Sequence, residues 1–167
     1  MKTCFSRLAL PVCLLALGWL AGLRVNLTDS VPVGLYRETR DCPASHGEFV
    51  SFCLESDVQA VQASRYLQRS LLCPNGLQPL LKRLAALPGD VIDVHPKGLS
   101  INGQSVPESG ALTEDSKGRA LISCLASGPV PEGMALVLGD RSGSFDGRYF
   151  GVIPLRSCRR VVPILTF

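Results

Sequence analysis

The stretch Gln78-Pro-Leu-Leu-Lys82-Arg-Leu-Ala-Ala-Leu-Pro-Gly-Asp90 decides the fold of this chain. Its first part, residues 78–86, is mainly apolar and predicts a strand that carries one lysine. Leu87-Pro-Gly-Asp90 predicts a turn. Short strands are expected next at residues 91–94, 98–101 and 104–106, and Asn102-Gly103 predicts a two-residue hairpin between the last two. This part of the chain therefore predicts several short strands joined by turns.

Outward from this stretch, further short apolar segments predict strands at residues 48–54, 133–138, 151–154 and 161–165. Residues 58–72 predict a helix, because Asp57 suits its N-cap and apolar residues recur at helical spacing. Residues 107–131 are rich in Gly, Ser and Pro and predict a loop with one strand at 120–125. The expected fold class is a mostly β domain with one short helix.

An apolar segment precedes this domain. Between Arg7 and Arg24 lie 16 uncharged residues, which as a helix would reach about 24 Å. This is slightly short of the ~30 Å hydrocarbon core of a bilayer, and flanking arginines can cover the difference. We expect a single N-terminal transmembrane helix. A cleaved signal peptide is the alternative, which the small residues Ala21 and Gly22 leave open.

The charges support a division into a membrane segment, residues 1–24, and an exported domain, residues 25–167. Lys2, Arg7 and Arg24 take three of the 17 positive charges, and no acidic residue precedes Val25. Such a flank favours a cytoplasmic N-terminus. The remaining charges balance, and no basic cluster predicts a nucleic-acid partner.

Seven cysteines, at positions 4, 13, 42, 53, 73, 124 and 158, form no Cys-x-x-Cys motif, so neither a metal site nor a redox pair is indicated. No other cofactor is expected. In an oxidising compartment one or two disulfides are plausible. Cys53 and Cys73 flank the expected helix and are the preferred pair.

Lys82 is the most informative candidate for chemistry. The two histidines, His46 and His95, lie in turn-like surroundings without recognisable partners. Of the four lysines, Lys82 alone is embedded in an apolar segment. Burial would lower its pKa, and a neutral amine can take the proton of a serine hydroxyl. An ion-paired or solvated lysine is the alternative that this pattern leaves open.

Three segments resemble the signal peptidase family, in the form of its conjugal-transfer, TraF-type members. Asn26-Leu-Thr-Asp-Ser30-Val-Pro-Val-Gly-Leu-Tyr36 is similar to the nucleophile box in its Ser-x-Pro-x-Gly-x-Tyr form. Lys82-Arg-Leu-Ala-Ala-Leu-Pro-Gly-Asp90 resembles the lysine box. Gly139-Asp-Arg-Ser-Gly-Ser-Phe-Asp-Gly-Arg-Tyr-Phe-Gly151 is similar to the C-terminal box. The three occur in the family's order, behind an apolar segment.

The resemblance implies a role for each matching residue. Ser30 would be the nucleophile and Lys82 its general base, while the Ser30 amide and the Thr28 hydroxyl would form an oxyanion hole. Asp146 and Arg148 would shape the site, either as an ion pair or with Asp146 holding the hydroxyl of Ser142 or Ser144. A list of expected substrate-binding residues completes the assignment: Val31, Pro32 and Leu81.

The implied function is that of a membrane-anchored serine endopeptidase of the bacterial inner membrane, with its catalytic domain in the periplasm. The implied substrate is a pilin-like precursor, which would be hydrolysed or cyclised. The implied partners are mating-pair or type IV secretion components. One alternative is a housekeeping type I signal peptidase, although the short chain and the Ser-x-Pro-x-Gly form oppose it. Another is a non-catalytic scaffold for pilus assembly. A self-cleaving repressor would need a DNA-binding module where this chain has its apolar segment.

Overall fold

The computed structural model describes residues 17–18, 21–39, 41, 45–55 and 62–167. Within these ranges the chain is mostly β, with one short α-helix that has complete bounds. The strands are β1 (Leu23–Asn26), β2 (Gly34–Glu38), β3 (Phe49–Phe52), β4 (Leu80–Ala86), β5 (Val91–His95), β6 (Gly98–Ile101), β7 (Gln104–Val106), β8 (Gly128–Pro129), β9 (Met134–Leu138), β10 (Ile153–Pro154) and β11 (Arg159–Thr166). The helix α1 is Gly147–Phe150, and a 3-10 turn follows at Leu155–Ser157.

Two antiparallel sheets organise these strands. The larger has the order β1-β2-β11-β3-β4-β9-β10, and the smaller has the order β7-β6-β5-β8. The turn at residues 87–90 connects β4 of the first sheet to β5 of the second. The predicted hairpin between β6 and β7 is confirmed, and Asn102 and Gly103 both adopt the positive φ that it requires.

Strand β4 lies inside the larger sheet, between β3 and β9. Its residues alternate between buried and partly buried positions along the whole strand. Because successive side chains of a strand point to opposite faces, Lys82 shares the buried face with Leu80 and Leu84. A lysine in this position is surrounded by the core.

Each sheet has its own apolar core. One cluster contains Val50, Phe52, Leu84 and Phe150, and the other contains Ile92 and Leu99 of the smaller sheet. Strand β9 contributes to both, because Ala135 and Val137 face the first cluster while Leu136 and Leu138 face the second. This explains why the apolar segment at 133–138 does not alternate with polar residues.

The predicted helix at 58–72 is wrong from residue 64 onward. Residues 58–61 lie outside the described residues, and only 62–63 of the described part are helical. Turns and bends follow, with an isolated bridge between Arg69 and Leu77. Leu67 packs on the core but Leu71 is fully exposed, so the apolar spacing did not mark one buried face.

The disulfide between Cys53 and Cys73 is present, with a Cα–Cα distance of 5.6 Å. It joins the residue after β3 to the segment that leads into β4. Because the disulfide brings the two ends of this loop together, a long straight helix between the cysteines is disfavoured. This is a physical reason why the helix prediction failed.

Two other expectations differ from the structure. The strand predicted at 120–125 is absent, since only Ala120 pairs, in a bridge with Glu114. Strands β1 and β2 were not expected, and Leu23 and Arg24, assigned to the membrane segment, belong to β1. No helix among the described residues is long and apolar enough to cross a membrane. Most of the predicted anchor, residues 1–24, falls outside those residues.

Candidate active site

The loop between β1 and β2 carries Ser30 and is shaped by Asn26. The Asn26 amide Nδ2 donates to the carbonyl oxygens of Thr28, Val31 and Pro32 at 2.8, 3.1 and 3.0 Å. Its Oδ1 accepts from the Thr28 amide and the Thr28 hydroxyl at 3.2 and 2.8 Å. One side chain thus satisfies several backbone groups of a tight loop, which is a common use of Asn in turns.

Two further contacts fix the ends of this loop. The buried Tyr36 hydroxyl donates to the Pro32 carbonyl oxygen at 2.6 Å. The backbone amide of Asp140 donates to the Ser30 carbonyl oxygen at 2.7 Å. The second bond attaches the Ser30 loop to the segment that follows β9. Sequence reasoning missed Asn26 and Tyr36 as supports, although both stand within the quoted nucleophile box.

The Ser30 hydroxyl lies 3.2 Å from the Thr28 hydroxyl, and Ser30 is 9% exposed. Because the Asn26 carboxamide oxygen is only an acceptor, the Thr28 hydrogen is used on Asn26. The hydrogen between the two hydroxyls therefore belongs to Ser30, and Thr28 accepts it. In this arrangement Thr28 is not yet a donor toward an oxyanion.

Lys82 is 3% exposed, and its surroundings favour the neutral amine. Burial lowers the pKa of Lys82 from its ordinary 10.5 to about 8; Asp146 opposes this shift, Arg148 adds to it, and Asp29 and Asp140 oppose it. No hydrogen bond or ion pair to the Lys82 amine is found within the part of the chain that the structure describes. The amine and the Ser30 hydroxyl are thus not in hydrogen-bond contact, which is common in peptidases without substrate.

Asp146 and Arg148 form a buried ion pair with a separation of 2.8 Å. Asp146 caps α1 by accepting from the Arg148 amide, and it also accepts from Arg148 Nε at 2.8 Å and from the Gly139 amide at 2.8 Å. The remaining donors of Arg148 reach the carbonyl oxygens of Glu108, Gly110, Arg141 and Ser144. Arg148 therefore ties three segments together and has no donor left for a substrate.

Asp146 does not hold the hydroxyl of Ser144, which is one of the arrangements that the resemblance implies. The Ser144 Oγ is fully enclosed and has no hydrogen-bond partner among the described residues. A Cβ on Gly139 would collide with the Ser144 side chain and come within 2.9 Å of the Ser30 carbonyl oxygen. Gly139 thus lets these segments approach closely. The Ser144 hydroxyl, which has no hydrogen-bond partner, therefore lies near the Ser30 loop.

A second ion pair lies beside the site, between Arg83 and Asp140. Arg83 donates from Nε and Nη2 to the two carboxylate oxygens at 2.9 and 2.8 Å, and its guanidinium lies 4.2 Å from the centre of the Phe49 ring. Asp140 also holds the Ser30 carbonyl through its backbone amide. The residue next to Lys82 is therefore connected to the residue that positions Ser30.

The expected substrate-binding residues occupy different positions. Val31 is buried, Pro32 is exposed, and Leu81 is partly buried on the face of β4 opposite to Lys82. On the β9 side, β4 is paired only from Arg83 onward. Since Leu84 bonds toward the β3 side, Leu81 directs its backbone amide and carbonyl toward the open side. The structure thus has an unpaired strand edge beside Lys82.

This chain belongs to the signal peptidase family, peptidase S26, whose model matches residues 8–162. Among its relatives are proteins called TraF. A probable conjugal transfer protein TraF of Sinorhizobium fredii is 38% identical over 141 residues, which cover 81% of this chain and 72% of the relative. A plasmid transfer protein TraF of Escherichia coli is 34% identical over 154 residues, covering 90% and 86%.

A solved structure of a signal peptidase I from Enterococcus faecalis V583 is also similar. It is 29% identical, with a TM-score of 0.40, and the match covers 74% of this chain and 97% of that chain.

Proposed function

We propose that this peptidase cleaves exported precursors by means of a Ser30–Lys82 dyad and an acyl-enzyme. One observation carries the proposal: Lys82 is buried without a bound counter-ion near the Ser30 loop, and burial lowers its pKa to about 8. A lysine kept only for structure would be expected to have an ion-pair partner or to reach solvent.

The first chemical step transfers one proton and forms one bond. The neutral Lys82 amine takes the Ser30 proton while Oγ bonds to the scissile carbonyl carbon. The C–N bond then breaks, and the Lys82 ammonium returns the proton to the leaving amine. Substrate binding must bring the two groups into contact, since no hydrogen bond joins them in the described residues.

The second step releases the acyl group from Ser30. Water activated by the neutral Lys82 attacks the ester carbonyl and yields a free carboxylate. If the substrate's own amine attacks instead, the product is a cyclic peptide. Both routes restore the Ser30 hydroxyl, so the same residues support hydrolysis and cyclisation.

The oxyanion would bind to the Ser30 amide and the Thr28 hydroxyl. Thr28 must turn its hydrogen away from the Asn26 oxygen, 2.8 Å distant, to donate to the oxyanion. Loss of the Ser30 hydrogen to Lys82 removes the bond that Thr28 accepts, so this rotation fits the first step. A donor of this kind contributes roughly 10²–10³-fold to kcat in serine peptidases.

The substrate would bind in extended form along the open edge of β4. The Leu81 amide and carbonyl offer backbone hydrogen bonds there, and Pro32, which is exposed in the Ser30 loop, would contact the substrate close to Ser30. Val31 is buried and would limit the depth of the groove, which favours small side chains before the scissile bond.

The cellular setting is also part of the proposal. The apolar segment at 8–23 would anchor the chain in a bacterial inner membrane with the peptidase domain in the periplasm. The relatives called conjugal transfer and plasmid transfer proteins support a role in conjugation, with a pilin-like precursor as substrate and mating-pair or type IV secretion components as partners.

Processing of a candidate pilin precursor by the purified full-length chain tests this function. Ser30→Ala and Lys82→Met should each abolish processing, because each removes one half of the dyad. Ser105→Ala and Lys97→Met change exposed residues of the same types and should process normally. Retained processing in either dyad variant would refute the assignment.

A cellular test separates the alternatives. Normal pilus assembly with Ser30→Ala would support a scaffold and contradict the proposal. Complementation of a cell depleted of its own signal peptidase would indicate a housekeeping enzyme instead of a dedicated pilin peptidase.

A further inference from the structure

One ring of a stack of three aromatic rings, Phe145, packs against the apolar cluster that contains Leu80 and Leu84, the neighbours of Lys82 on the buried face of β4. Phe145 stacks on Tyr66 with ring centres 5.0 Å apart and on Tyr149 with ring centres 5.7 Å apart. It also meets Phe150 edge to face at 5.7 Å. Phe145 belongs to the C-terminal box and Tyr149 to α1, whereas Tyr66 comes from a distant part of the chain. The stack therefore joins two separate segments.

Tyr66 belongs to the loop that the Cys53–Cys73 disulfide closes. Its hydroxyl donates to Asp115 at 3.0 Å, and the Arg119 guanidinium lies 5.3 Å from its ring centre. Gln62 of the same loop donates to the Ile122 carbonyl oxygen at 3.1 Å. The disulfide loop thus contacts the C-terminal box through the Tyr66 ring, while Ala63 and Leu67 of the same loop pack on the apolar core.

The two neighbours of Phe145 face the candidate active site. Ser144 has the unpartnered hydroxyl near the Ser30 loop, and Asp146 is fully buried and is the strongest opposite charge acting on Lys82. Because side chains alternate along an extended segment, fixing the Phe145 ring on one side fixes these two on the other. The charged groups acting on Lys82 are Asp146, Arg148, Asp29 and Asp140.

We propose that Tyr66 is a positioning residue: its stack on Phe145 couples the disulfide-closed loop to the segment that keeps Lys82 dry. The inference rests on the proposed role of Lys82 and adds a regulatory connection to it. When the stack is lost, the segment around Phe145 loosens and water reaches the amine. Desolvation is the dominant cause of the lowered pKa, so the pKa of Lys82 then rises toward its ordinary value.

Lysine NMR measures this effect without any substrate. The chain has four lysines, so full-length protein with ¹³Cε-labelled lysine gives four signals, and Lys82→Met identifies the one of interest. In Tyr66→Leu the pKa of Lys82 should rise by about 1, while Tyr66→Phe, which keeps the ring and loses only the Asp115 bond, should retain the original value. Phe145→Leu should act like Tyr66→Leu and replaces it if that variant does not fold.

Removal of the disulfide provides a second, independent test. A variant with Cys53→Ala and Cys73→Ala should show the same rise, and adding Tyr66→Leu to it should produce no further rise. An unchanged Lys82 pKa in folded Tyr66→Leu, with only a lower unfolding temperature, would overturn the proposal and leave Tyr66 a purely structural residue. Processing by Lys82→Met would instead refute the dyad, and the titration would still report on Tyr66.

Discussion

Lys82 lies between Leu80 and Leu84 on the buried face of β4, and burial lowers the pKa of its amine to about 8. The same desolvation disfavours the charged form in the folded protein. The proposed chemistry requires the neutral amine, whereas at pH 7, which is below this pKa, most of the amine is protonated in the folded protein. Activity and stability should therefore respond to pH through this one residue.

The rate of processing should rise with pH as Lys82 loses its proton. Below a pH of about 8, kcat/KM should fall about tenfold for each pH unit, because only the neutral amine accepts the Ser30 proton. A pH profile of the purified chain measures this. A profile with no inflection between pH 7 and 9 would contradict the role of Lys82 as the base.

Lys82→Met should abolish activity and stabilise the fold at pH 7. The folded pKa lies below the unfolded one, so the unfolded state binds more protons between pH 8 and about 10, and stability rises with pH in that window. Removing the amine should add about 2–3 kcal/mol to the free energy of unfolding at pH 7 and less above pH 10. Urea unfolding at pH 7 and above pH 10 measures both differences. A Lys82→Met variant that is less stable than the wild type at pH 7 would show that the amine is favourably solvated.

Helix α1 is stabilised by its N-cap, Asp146, and by the hydrogen bonds of Arg148. Asp146 caps it, and Arg148 binds Asp146 and four carbonyl oxygens of neighbouring segments. Neither α1 nor its network could be predicted from the helical pattern, since four residues contain no periodicity. The resemblance of the C-terminal box left two arrangements open, an Asp146–Arg148 ion pair or a bond from a Ser142 or Ser144 hydroxyl to Asp146, and the structure contains the ion pair.

Arg148→Met should destabilise the fold by about 3–5 kcal/mol, because it leaves Asp146 buried without its partner. Arg156→Met, which removes an exposed pair with Glu55, should change the free energy of unfolding by less than about 1 kcal/mol. Denaturant unfolding of the two variants compares them directly. Equal small effects would mean that water replaces Arg148 at the ion pair.

Other elements show where sequence reasoning succeeds and fails. Apolar segments and turn residues predicted β3 through β7, because β3, β4 and β6 have buried side chains and the Asn102-Gly103 turn joins β6 to β7. Strands β1 and β2 were missed because β1 pairs with β2 and β2 pairs with the distant β11, and because Arg24 and Glu38, a partly buried ion pair, place charges in both segments. The helix prediction at 58–72 failed because the Cys53–Cys73 disulfide and the Arg69–Leu77 bridge constrain that segment, and apolar spacing reveals neither.

At the scale of the whole molecule, the residues that we propose as catalytic come from separate parts of the chain that the fold brings together. The Ser30 loop follows β1, Lys82 lies on β4, and the support segment follows β9. The Asp140 amide and the Arg83–Asp140 pair connect all three. The sequence spacing of these residues could not reveal this geometry. The order of the three motifs supported the family resemblance, which implied that they share one site.

The Cys53–Cys73 disulfide should stabilise the whole domain. Replacing both cysteines with alanine should lower the free energy of unfolding by about 2–4 kcal/mol, as expected for a loop with a sequence separation of 20. Unfolding of the variant and the oxidised wild type by urea measures the difference. A difference below about 0.5 kcal/mol would mean that packing alone closes this loop.

The most direct test of the Ser30–Lys82 dyad is mass spectrometry of the acid-quenched reaction of the full-length chain with a pilin precursor. The dyad predicts that the peptide containing Ser30 gains the mass of the acyl fragment of the substrate, and that Ser30→Ala and Lys82→Met give neither adduct nor product. Processing that continues in Ser30→Ala, or an adduct on another residue, would contradict it.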